Sequence, residues 1–223
     1  MKSVSVLCRG QSLKHIERLD KSDVVVLVNR FGDELKTFPS VVDYINDSEI
    51  YLCTSGTPGE LDTLNQFGFF DKFTPTKMIR PYLNEIANTH INLQNSIGVQ
   101  DTFLSNAHKE YMYQIENYKY PYTYPSSGIA ALSYVVLECD FDVVNIIGLD
   151  FYETISNSSF YAAGDDHEHA DWGKDGHMQE VVTRLVMNHP NKQFNMISTA
   201  EKHLHDVKKF KNMNFIKVGI WKK

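Results

Sequence analysis

The chain has 223 residues, of which 42% are hydrophobic and 12% aromatic, so it can bury a sizeable core and is expected to form a single domain over residues 1–223. Lys plus Arg number 22 against 28 Asp plus Glu, a net charge of −6, which argues against a nucleic-acid backbone as the main partner. No apolar run reaches about 18 residues, so neither a membrane span nor a secretory leader is expected. The three cysteines, Cys8, Cys53 and Cys139, stand apart in apolar contexts and read as reduced, buried residues of a cytoplasmic protein.

Ser3 to Cys8 reads as a first strand, followed by the turn Arg9-Gly10-Gln11-Ser12. Ser12 is expected to cap a helix running to about Leu19. A strand, a glycine turn and a helix start together bring backbone N–H groups to where a phosphate or sugar can meet them. The single glycine falls short of a dinucleotide fingerprint. Asp23 to Val28 is a second buried strand, and Asn29 at its exit offers both a donor and an acceptor while also being a common turn former. Val41 to Ile45 reads as a short helix, Glu49 to Cys53 as a third strand, and residues 54–59 as a turn-rich loop. Helices are expected over Glu60 to Phe67 and from Pro75 to about Ala87.

Thr89 to Tyr124 carries few aliphatic residues and six tyrosines between Tyr111 and Tyr124, a set suited equally to packing on sugars and to packing on a core. Pro125 to Tyr152 is the organising stretch. Ser126 and Ser127 stand where they can cap a helix, Gly128 leaves room for a ligand at its first turn, and Ile129 to Leu137 leaves almost no polar face. Asp142 to Gly148 follows as a strand buried on both faces, with Asp150 and Tyr152 at its carboxyl edge, where open α/β sheets bind their ligands. Residues 153–175 are long and polar, the signature of a mobile active-site loop or lid. Gly176 to Met187 returns to helical periodicity, Phe194 to Ile197 is a strand, Ala200 to Phe210 a basic helix, and Phe215 to Ile220 a closing strand. This alternation predicts an α/β, Rossmann-like domain with a mostly parallel sheet and helices on both faces.

Two stretches, taken together, resemble the sialyltransferase superfamily, whose members use CMP-activated acidic sugars. Val6 to Phe31, VLCRGQSLKHIERLDKSDVVVLVNRF, is similar to its N-terminal motif of a strand, a G-x-S/G-L turn and a second strand ending in Asn near Phe. Ser126 to Asp150 is similar to its second motif, a Ser/Thr-Ser/Thr-Gly helix and a strand ending in Gly-x-Asp. Phe151-Tyr152 and Ser159-Phe160-Tyr161 resemble the D-F-Y and S-Y pair of the small bacterial members. About a third of the chain is covered, in the expected order. Arg9, where the family often has Asn, and Tyr124, near where bacterial members carry a basic residue, depart from the pattern.

The resemblance implies a GT-A-like variant that moves sialic acid, another nonulosonic acid or Kdo from CMP to a glycan hydroxyl with inversion. No cofactor and no metal are implied. Arg9, Gly10, Ser12 and Asn29 would then contact the CMP portion or the reacting sugar. Ser126, Ser127 and Gly128 would hold the donor's carboxylate or phosphate, beside Asp150. Tyr152 and Tyr161 would donate hydrogen bonds to the departing phosphate, a neutral way to stabilise charge on CMP. The acceptor hydroxyl needs a base, and histidine suits it near neutral pH. His177, directly before a helix and three residues from Glu180, ranks first, although the family spacing is commonly four. His169 ranks second, and His167 also lies in the run.

Two other readings stay open. The run Asp165 to Asp171 with His177 suits a metal-dependent phosphoesterase or hydrolase, though it lacks the helical H-E-x-x-H spacing. A catalytically silent protein that binds a nucleotide or glycan fits the same strand exits. The basic segment Lys202 to Lys211 reads as a solvated face that is open to contact with an anionic membrane surface, and self-association is also open.

Overall fold

β-branched runs make the middle of the sheet. A computed structural model of the chain describes residues 1–29, 31–54, 64–66, 68–80, 100–103, 126–151, 177–200 and 207–219, with the backbone alone for 33, 80, 100–103 and 177. Among the described residues eight strands form one sheet: β1 (Ser3–Leu7), β2 (Val24–Val28), β3 (Glu49–Cys53), β4 (Lys77–Arg80), β5 (Gln100–Phe103), β6 (Val143–Ile147), β7 (Gln193–Ser198) and β8 (Met213–Lys217). Their order is β5-β4-β3-β2-β1-β6-β7-β8, and every pairing is parallel. The α/β, Rossmann-like architecture read from the sequence is what the chain adopts. β2, VVVLV, is buried at all positions, as a central strand covered on both faces must be.

Helices α1 (Asp33–Thr37), α2 (Pro39–Ile45) and α3 (Phe69–Lys72), with a 3-10 helix over Gln11–Arg18, go with one face of the sheet. There Leu13, Ile16, Val41 and Ile45 pack with Leu7, Val25, Leu27 and Leu52. Helices α4 (Ser127–Leu137) and α5 (His177–Asn188) go with the other, where Ile129, Leu132, Val182 and Leu185 join Val6, Val26, Ile146 and Met196. In α4 every residue except Leu137 is buried, which explains why it lacks a polar stripe.

A polar row crosses the first face without leaving a loose end. Ser5, Asn145, Asn195 and Asn214 are register partners along β1, β6, β7 and β8. Asn195 Nδ2 donates to Asn145 Oδ1 at 2.8 Å, and Asn145 Nδ2 donates to Ser22 Oγ at 3.0 Å. Ser5 Oγ lies 2.7 Å from both Ser22 Oγ and the Tyr44 hydroxyl, which itself donates to Asp20 O.

Several expectations change. The segment after β1 is a 3-10 helix, and Ser12 does not cap it: Gly10 is the N-cap residue, and the Ser12 hydroxyl instead accepts the Gly148 N–H at 2.9 Å. Pro75 opens no helix; residues 77–80 are β4, with Met78 and Ile79 fully buried. β5, of sequence QDTF, was not anticipated, because an edge strand with a single large apolar residue carries no alternating signal. Of the basic helix expected over Ala200 to Phe210, the described part is a 3-10 turn at Val207–Lys209. Cys8 and Cys53 are buried, whereas Cys139 is only half-buried. The loop 153–175 and the tyrosines from Tyr111 to Tyr124 lie outside the described residues.

Candidate functional site

From β1 the sheet grows to one side through β2 to β5, and to the other through β6 to β8. The reversal between β1 and β6 is a topological switch point, and in such sheets the crevice outside the carboxyl ends of the strands is where ligands bind. The exits of β1, β2, β6 and β7 and the first turns of α4 and α5 supply the residues there.

One carboxylate ties three of these exits together. Asp150 Oδ2 accepts the Ser12 N–H at 2.9 Å, while Oδ1 accepts the Ser198 hydroxyl at 3.0 Å and the Thr199 N–H at 2.9 Å. Burial raises its pKa, against the pull of these hydrogen bonds. The glycines make the approach close enough. Gly10 N donates to Gly148 O at 2.8 Å, and a Cβ on Gly10 would lie 2.4 Å from both Gly148 O and Asp150 Oδ2. Gly148 has φ +77, and a Cβ there would sit 2.0 Å from Cys8 O. Among the described residues, Ser12 and Asp150 therefore meet each other and the strand exits, and shape the crevice from beneath.

Arg9, in the turn just past β1, forms a 2.6 Å ion pair through Nε with Glu34 Oε1. The Glu34 side chain is wholly buried and that of Arg9 is 18% exposed. A buried pair is held at a desolvation cost, so it is weak evidence of a purely stabilising role. Asn29, at the β2 exit, adopts the left-handed region at φ 61 and donates its N–H to Cys53 O at 2.7 Å. That conformation is the turn-forming reason for an asparagine. Its Oδ1, buried and without a hydrogen-bond partner among the described residues, is a second reason.

At the start of α4, Ser126 is the N-cap and its Oγ accepts the Ile129 N–H at 3.4 Å; Ser127 is the first helical residue and does not cap. The missing side chain of Gly128 accommodates β1, since a Cβ would lie 2.8 Å from Cys8 Sγ. Ser126 Oγ also lies 3.6 Å from Met178 Sδ, which seats the first turn of α5 beside that of α4. An eleven-residue helix starting at this edge presents the positive end of its dipole and free N–H groups to an anion. Phe151 carries φ 57, unusual for a bulky residue, and is held there by a ring that is 1% exposed.

Of the remaining expected site residues, His177 opens α5 at this edge, with its backbone alone described. His167, His169, Tyr152 and Tyr161 lie outside the described residues. Among the described residues no group of three or more His, Cys, Asp or Glu could hold a metal ion, and the run 165–171 lies outside them. No described helix is long and apolar enough to cross a membrane. Two residues at this edge escaped the sequence reading. Gln179 and Thr199 are buried, and the Gln179 amide and Thr199 hydroxyl have no hydrogen-bond partner among the described residues. A polar residue directly after a strand exit or in the first turn of the following helix was the only signal for either, and many such residues are mere turn formers.

No family model matches the chain, and no curated protein matches it. Its fold is similar to that of the sialyltransferase CstII from Campylobacter jejuni, solved with the substrate analogue CMP-3FNeuAc. The likeness covers 100% of this chain and 92% of that one, at 13% identity and a TM-score of 0.55. The protein thus has a sialyltransferase-like fold.

Proposed function

We propose that the protein is a CMP-sugar-dependent glycosyltransferase that moves sialic acid, or a related nonulosonic acid or Kdo, onto a glycan hydroxyl. The observation that carries this reading is the switch-point crevice itself. An anion-ready helix start at Ser126 to Gly128 lies on the same edge as a buried asparagine oxygen that lacks a partner among the described residues. A nucleotide-sugar carries the matching groups, with anions beside a polyol and a base that need donors and acceptors. The sialyltransferase-like fold supports the choice of CMP as the nucleotide.

In this reading the α4 N-terminus takes the donor's carboxylate or phosphate, and Asn29 with the Arg9-Gly10 turn faces the CMP portion or the sugar. His177 removes the proton from the acceptor hydroxyl as the C–O bond to CMP breaks, with inversion at the sugar carbon. Tyr152 and Tyr161 donate hydrogen bonds to the leaving phosphate, so the chemistry runs without a metal or a further cofactor. Residues 153–175 act as the lid of a single domain working in the cytoplasm.

The test is a thermal-shift titration with CMP against UMP, AMP, NAD and divalent metals, because a ligand bound only by the folded state raises its stability. Stabilisation selective for CMP, followed by turnover of a CMP-sugar that His177→Ala abolishes while CMP still binds, is the expected result. Stabilisation by zinc or manganese with no CMP response would replace this reading with the hydrolase. CMP binding without turnover of any CMP-sugar would leave a silent binding protein.

A further inference from the structure

Gln179 is fully buried in the first turn of α5, and neither Nε2 nor Oε1 has a hydrogen-bond partner among the described residues. A glutamine at the third helical position can close a capping box only opposite an N-cap serine or threonine, and the residue before His177 is a glycine. Packing gives no reason for it. Met178, Val181, Val182, Leu185 and Val186 on α5 are apolar and fully buried, and methionine is an apolar side chain of similar length and shape to glutamine. A buried amide left without partners is worse for the folded state than an apolar group of the same shape.

Position supplies the reason. α5 is the crossover from β6 to β7, so its first turn stands at the carboxyl edge of the sheet, beside the N-cap of α4. Thr199, whose buried hydroxyl also lacks a partner among the described residues, leaves the strand that α5 leads into. Stranded polar groups thus mark the start of α5 and the exit of β7, both on the ligand edge. The contrast is the row from Ser5 to Asn195 across the sheet face, where the polar groups are paired.

We propose that Gln179 is a specificity residue for the transferred sugar, its amide donating to and accepting from one hydroxyl, which presents both functions at a single atom. This rests on the transferase reading above. A phosphate or carboxylate oxygen only accepts and would leave Oε1 stranded, so the donor's anionic groups are the poorer match.

The experiment compares wild type with Gln179→Met, and with Gln179→Leu as a second apolar variant, using CMP and CMP-sialic acid as probes. The ligand-free Met variant should melt higher, by roughly 2–4 °C, because a stranded amide has been removed. CMP affinity should hold within about twofold, while affinity for CMP-sialic acid falls about tenfold or more. A lower melting temperature in both variants with unchanged ligand affinities would show a structural residue and overturn the inference while the transferase reading stands. Equal losses for CMP and CMP-sialic acid would assign Gln179 to the nucleotide instead. A wild-type protein that binds neither probe removes the transferase reading, and the sugar assignment with it.

Discussion

Replacing Gly148 by alanine tests whether the joined exits of β1 and β6 hold the site together. The new methyl would lie 2.0 Å from the Cys8 carbonyl oxygen, less than a van der Waals contact by well over an ångström, at a backbone φ of +77. The left-handed conformation alone costs an L-residue roughly 1–2 kcal/mol. Relief of the clash requires β1 and β6 to part at their ends. That sacrifices the bonds from Cys8 N to Ile147 O and Gly10 N to Gly148 O, each 2.8 Å, and from Gly148 N to Ser12 Oγ at 2.9 Å. At a net 0.5–1.5 kcal/mol apiece, these bring the expected loss to roughly 2.5–6.5 kcal/mol, a large share of a typical domain's stability. Urea unfolding followed by circular dichroism measures it, with Gly219→Ala as the control, since a Cβ there meets nothing within 4 Å. A Gly148→Ala protein within about 1 kcal/mol of wild type would refute the reasoning, because the strand ends would then be free to separate at little cost.

Other outcomes follow from the same contacts. Asp150→Ala leaves the buried Ser12 and Thr199 N–H groups without their acceptor, while the Ser198 hydroxyl keeps Leu149 O at 3.2 Å, so a loss on the order of 2–4 kcal/mol is expected in chemical denaturation rather than a change confined to ligand affinity. Asp23 accepts the Ser3 N–H at 2.7 Å and the Ser3 hydroxyl at 2.9 Å, and these bonds, the backbone one foremost, hold its pKa below the ordinary value. Its folded-state pKa is depressed, so its contribution is present above the unfolded value and is lost as pH falls through the folded one. Asp23→Asn should therefore lower the urea midpoint at pH 7, with the difference from wild type shrinking below about pH 4. Cys8 is enclosed, and burial foremost, then the Asp150 carboxylate, pushes its thiol pKa far up. A thiol reagent at neutral pH should label at most Cys139 in the native protein, and all three cysteines in denaturant; rapid native labelling of Cys8 would contradict the packing of Gly128 on it.

The strands at the centre of the sheet were legible because burial on both faces demands unbroken β-branched runs, and DVVVLV, EIYLC and DVVNIIG carry that demand openly. α4 was legible for the same reason, and its N-cap Ser126 because capping is a local bond between residues three apart. β4 and β5 were not, since a short strand near the edge of the sheet is recruited by its neighbour's open hydrogen bonds rather than by its own pattern.

The site divides along the same line. Sequence by itself determined that glycines and small polar residues stand at the exits of β1, β2 and β6, because turn chemistry is local. Only the tertiary structure decided what they do. Ser12, which reads as a cap, is claimed by Gly148 from 136 residues away, and Asp150 is claimed by Ser12, Ser198 and Thr199. It also left Asn29, Gln179 and Thr199 with buried polar atoms that no described residue satisfies. Whether a polar side chain is spent on the scaffold or kept for a ligand depends on which distant strand ends converge on it, and no local pattern encodes that.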